Sequence, residues 1–144
     1  TRRNFERQGD GVVQFVADPR DFVDAALSIR EGDAAVLDSA DAWVEVDAVQ
    51  VDDRLEGETT IRTWELTPVE SEVVRRQPTT YSRGFGAVVE ATVAASRLGV
   101  PGFDDDELRE RLEFFADTVD RCGGDREREA MARVASYADW TPDA

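Results

Sequence analysis

The chain has 144 residues, with 32 Asp and Glu, 17 Arg, no Lys and no His, for a formal net charge of −15. That balance argues against a nucleic-acid partner, which needs a basic face. The lack of His and Lys excludes a Ser-His-Asp triad, a Schiff base, a P-loop and zinc held through His.

Cys122 is the single cysteine, so there is no intrachain disulfide. No apolar run approaches the roughly 20 residues needed to span a bilayer, and no membrane partner is expected. The chain reads as cytoplasmic. An acid excess with Arg in place of Lys suits a cytoplasm of molar salt, as in a salt-loving archaeon. There the Debye length falls to about 3 Å and self-repulsion is screened, while carboxylates keep the surface hydrated. With 41% hydrophobic residues in periodic array, the chain is expected to fold, as one domain or two small ones.

Residues 1–8 are polar and cationic, and Asp10-Gly11 is a turn signal. Gly11 to Ala17 (GVVQFVA) is a β-branched run that predicts a strand. Asp18-Pro19 is a helix start, because Asp caps well and Pro is tolerated at the first helical position. The helix runs to about Ile29, packing through Phe22, Val23, Ala26 and Leu27. Ala42 to Val51 alternates in a way that predicts a strand whose buried face switches at a bulge. Asp52 to Glu58 reads as a turn and Thr59 to Leu66 as a second strand, antiparallel to the first. Val69 to Arg76 is expected to form a helical turn or two, stopped by Pro78.

From Tyr81 onward every element is predicted helical. Phe85 to Leu98 is rich in Ala and Val and is expected to be largely buried. Asp104 to Arg121 places Leu108, Leu112, Phe115, Ala116 and Val119 at helical spacing, with four acids at its start to favour the dipole. Asp125 to Trp140 is a third helix, with Met131, Val134, Ala135 and Ala138 facing in.

Arg83-Gly84-Phe85-Gly86 is better read as a helix start allowing close packing than as a phosphate loop. The Asp104–Glu107 run is better read as helix-end compensation than as a metal site, and no metal is expected. Cys122 is expected to be a small, half-buried residue. No catalytic residue is assigned. The best candidate for chemistry is the opening Thr1-Arg2-Arg3-Asn4-Phe5, with Arg7 nearby. It is a positive cluster in a negative chain, and Arg offers forked donors that match phosphate oxygens. The bland alternative is that these Arg residues pair with neighbouring carboxylates.

Thr1-Arg2-Arg3-Asn4-Phe5, VVQFVADPRDFVDAAL (residues 12–27), LDSADAWVEVD (37–47) and RGFGAVVEATVAASRL (83–98) occur in the order and spacing of one family. Through them the chain resembles haloarchaeal members of DUF447, which in turn resemble the flavin reductase-like FMN-binding split barrels. The resemblance implies an α+β fold. It comprises a split β-barrel domain over residues 1–72, expected to lack its first strands, and a three-helix C-terminal domain over 73–144. It also implies FMN as cofactor and a homodimer. A T-x-x-N-[ILF] element of that family helps hold the FMN phosphate, which carries the role to Thr1 and Asn4, with Arg2 and Arg3 inside the element. Because the sequence opens on that element without Met, the chain is expected to begin inside a longer protein. The function implied is an FMN-binding flavoprotein of unassigned redox role, with a flavin reductase-like activity as one form of it. The alternatives are a non-catalytic dimerisation or partner-binding module with an incomplete flavin site, and flavin storage without turnover.

Overall fold

The computed structural model describes residues 2–28, 36–57, 59–78 and 80–141, and of residues 2–4 the backbone alone. In chain order they form α1 (Arg2–Gln8), β1 (Asp10–Val16), α2 (Pro19–Leu27), β2 (Ala40–Glu56), β3 (Thr59–Val73), α3 (Arg83–Ala95), α4 (Asp105–Cys122) and α5 (Asp125–Tyr137). The class is α+β, as expected. The described residues fall into two compact units, one drawn from Thr1–Ala17 and Asp33–Gln77, the other from Asp18–Gly32 and Pro78–Ala144.

The first unit is an antiparallel sheet of order β1-β2-β3 together with α1. β2 is longer than the sequence predicts. Residues 52–56, read as a turn, continue the strand, and the chain reverses at Gly57, whose φ of +61° suits glycine. Val69 to Val73, read as helical, is instead the second half of β3. Two β-branched residues and the free edge of β2 decide it: Val73 pairs with Ala42, Ser71 with Val44 and Glu70 with Glu45.

Two irregularities break the β2–β3 register. Between Glu45/Val46 and their partners Glu70/Pro68, β3 carries Val69 as an extra residue. Between Gln50/Asp52 and their partners Trp64/Thr63, β2 carries Val51. Each extra residue reverses the facing parity of its strand, but the expected switch of buried face does not occur, because residues 49–56 are exposed on both sides of the bulge at Val51. Before it, the even-numbered face of β2 holds the buried Ala40, Val46 and Ala48, while Val49 and Val51 are exposed.

The second unit contains four helices rather than three, because α2 packs with α3 and α5. Asp18 caps α2 by accepting from the Arg20 backbone N–H at 3.0 Å, and Pro19 takes the first helical position. Val23 is buried, whereas Ala26 faces solvent, contrary to the sequence reading. Leu108, Leu112, Val119, Met131 and Val134 form the core with the alanines of α3, on the faces predicted. The buried carboxylate of Asp24 ties α2 to α5, accepting from Arg133 and, at 2.9 Å, from the Tyr137 hydroxyl.

Gly84 lets α3 approach the α4–α5 corner: a Cβ there would sit 2.7 Å from the Gly123 Cα. Asp104 caps α4 through the Asp106 and Glu107 backbone N–H groups, which gives the first of the four acids a local structural task. Cys122 is exposed, not half-buried, because it ends α4 on the outer side. Among the described residues, no helix is long and apolar enough to cross a membrane.

Two outcomes follow from these contacts. Gly84→Ala must displace backbone and is expected to lower unfolding free energy by about 1–3 kcal/mol in a denaturant titration; no loss would mean the corner yields freely. The Arg20 side-chain hydrogen bond, against the opposing effect of burial, holds the Asp18 carboxyl below its usual 3.8. A depressed carboxyl stabilises the fold above pH 3.8, and that contribution disappears as pH falls through the lowered value. Asp18→Asn keeps the cap but loses the charge. Its deficit should be on the order of 1 kcal/mol near neutrality and close below pH 3.8; a deficit unchanged at low pH would contradict the ion pair.

Candidate functional site

α1 rests on one face of the sheet. The Phe5 ring lies 5.4 Å from that of Trp64 on β3, tilted by 52°. On β1, Gly11 makes room for the same ring: a Cβ there would meet Phe5 Cε1 at 2.6 Å. The Gly9 carbonyl, just after the helix, accepts from the Ala48 N–H at 2.7 Å. The second half of the helix is thus held against β1 and β3, and the residue after it is tied to β2.

Arg62 stands two residues before Trp64 on β3, on the same face, with Asp53 as its cross-strand partner. Its Nη1 lies 3.1 Å from Glu6 Oε1 of α1. That nitrogen is buried, and among the described residues no acceptor meets hydrogen-bond geometry with it. Glu6 is near enough to feel the charge, but its oxygen is poorly aligned with the N–H bonds. A buried donor left in this state costs roughly 1–3 kcal/mol unless something else accepts from it.

Of the residues predicted to hold a phosphate, Thr1 lies outside the described residues. Arg2, Arg3 and Asn4 form the first turn of α1, with their side chains outside the description. Their backbone therefore sits on the helix that Arg62 and Trp64 hold. Sequence reasoning missed Arg62. The available signal was a lone guanidinium in the strand TTIRTWEL, on the parity of its tryptophan.

Among the described residues, the helical unit shows open grooves of about 270 Å³ beside Tyr81, Arg83, Glu90 and Phe114, and of about 340 Å³ beside Asp120, Arg128 and Met131. The first falls just below the usual range of ligand-site volumes and the second at its lower end. Among the described residues, no group of three His, Cys, Asp or Glu is placed to hold a metal ion.

Residues 1–75 match the profile described as "Protein of unknown function (DUF447) N-terminal domain", and residues 82–136 match "Protein of unknown function (DUF447)". The chain belongs to the DUF447 family. It is similar to the crystal structure of the FMN-bound DUF447 protein MM1853 from Methanosarcina mazei, with 26% identity and a TM-score of 0.74. The match covers 94% of this chain and 74% of that one. No curated protein matches.

Trp64→Ala removes the ring that seats Phe5. The sheet should remain, while α1 loosens and trypsin cuts after Arg7 several-fold faster, followed by mass spectrometry. An unchanged rate would mean that α1 does not depend on this contact.

Proposed function

We propose that this DUF447 protein binds FMN, with the phosphate held at the first turn of α1 by Thr1, Arg2, Arg3 and Asn4. The observation that carries the reading is the FMN-bound relative, similar over 94% of this chain. The structure offers a fit in kind. The segment that matches the phosphate element forms a helix turn from Arg2, is cationic in a chain of net charge −15, and belongs to the helix whose Glu6 lies beside a buried guanidinium nitrogen lacking a hydrogen-bond acceptor among the described residues. An anionic group satisfies both conditions, because Arg donates to phosphate oxygens through short, charge-assisted bonds.

In this reading the sheet unit belongs to a split barrel that works as a homodimer in a cytoplasm of high salt, in an archaeon. Molar salt screens repulsion between the flavin phosphate and the acidic surface, leaving short-range Arg contacts to decide affinity. The bound flavin would supply hydride chemistry. The protein's part is to orient it: α1 fixes the phosphate end, while Phe5 and Trp64 keep α1 on the sheet. The electron partner is unassigned, and a flavin-reductase role is tested by NADH or NADPH oxidation.

Asn4→Ala removes one or two phosphate hydrogen bonds. FMN affinity, read by quenching of flavin fluorescence in molar KCl, should fall by about 1–3 kcal/mol. An unchanged affinity would remove Asn4 from the site, and no quenching by the unmodified chain would overturn FMN binding by this chain.

A further inference from the structure

The orphaned donor of Arg62 is harder to explain by folding alone than any other polar group described. Cations in this protein have carboxylates to spare. Arg20 reaches both Asp18 and Glu129, Arg75 reaches Asp41, and Arg121 reaches Asp117, each at 3.0 Å or less. Arg62 has Glu6 within 3.1 Å, yet its buried Nη1 finds no aligned acceptor. Its side chain keeps 27% of its surface open, while Nη1 itself is buried.

Helix geometry says which turn the guanidinium lies against. Cα–Cβ bonds in an α-helix tilt toward its N-terminus, so a side chain covers the turn preceding its own Cα. Glu6 therefore holds the guanidinium against the turn that contains Arg2, Arg3 and Asn4. Arg2 and Glu6 are four residues apart, about 6 Å along the axis. A guanidinium has five N–H donors in a rigid fork, and a single carboxylate oxygen near one nitrogen does not saturate them.

The geometry points to Arg62 as the sheet-borne ligand of the flavin phosphate, opposite the α1 turn. This rests on the FMN reading above and deepens it. Arg62 determines that the phosphorylated flavin is preferred over riboflavin. The same residue couples phosphate binding to the seating of α1, because Glu6 and the phosphate share one guanidinium.

The test compares FMN and riboflavin, which differ only in the phosphate, by fluorescence titration of the full chain in molar KCl. In Arg62→Gln the FMN affinity should fall about 10- to 100-fold, with riboflavin affinity unchanged. Arg62→Lys keeps a positive charge without the fork and should recover part of the loss, which guards against a variant that fails to fold. Glu6→Gln removes the ion pair but leaves the fork, and should retain the preference for FMN. Equal losses for both flavins in Arg62→Gln and Glu6→Gln would overturn the inference, leaving Arg62 a clamp for α1 only. An unaltered FMN preference in both Arg62 variants would also overturn it while FMN binding stood. Failure of the unmodified chain to bind either flavin would overturn the FMN reading itself and this inference with it.

Discussion

Among the described strands, β2 is the one that both others pair with, so the sheet unit depends on its register. A one-residue slip would exchange every side chain between faces. The extra residues Val51 and Val69 make two controlled changes of parity instead. Around Val51 the hairpin places Trp64, Arg62 and Asp53 on the face that carries Gly11, Val46 and Pro68. α1 lies on that face. The contacts that seat it, Phe5 on Trp64 and Glu6 beside Arg62, come from consecutive helix residues meeting alternate strand residues.

Charge sets the second constraint. With 32 carboxylates and 17 guanidiniums, the surface is hostile to a phosphate unless cations are concentrated locally. Most described Arg side chains are occupied in structural pairs. In the helical unit, Asp18 and Glu129 hold Arg20 between α2 and α5, and the buried Asp24 engages Arg133. These pairs orient helices whose core is made largely of alanine and valine. The sheet unit is different: Arg62 is close to one carboxylate but has a donor to spare, beside a turn that carries two more arginines.

Much of this was readable from local chemistry. Asp18-Pro19 and Asp104 announce helix starts because capping is a short-range effect, and the core positions of α4 and α5 follow from period alone. Gly84 was legible as a close-packing residue. The errors lie where partners distant in sequence decide. Val69 to Val73 is a strand because β2 offers an unpaired edge. α2 joins helices that begin more than fifty residues later, a pairing that no local pattern announces. Ala26 has the right spacing for burial but the packing leaves it outside. Arg62 was missed because a charged residue in a strand ordinarily signals a solvated face; its buried nitrogen depends on α1 folding back onto that strand.

The most direct measurement is residue-resolved amide hydrogen exchange of the full chain in molar KCl, with and without saturating FMN. Added protection concentrated in α1 and in β3 around Arg62 to Trp64 is expected, since the phosphate would tie the helix turn to the strand. Protection gained only in α3, α4 or α5, or none at α1, would contradict a flavin site built on that helix.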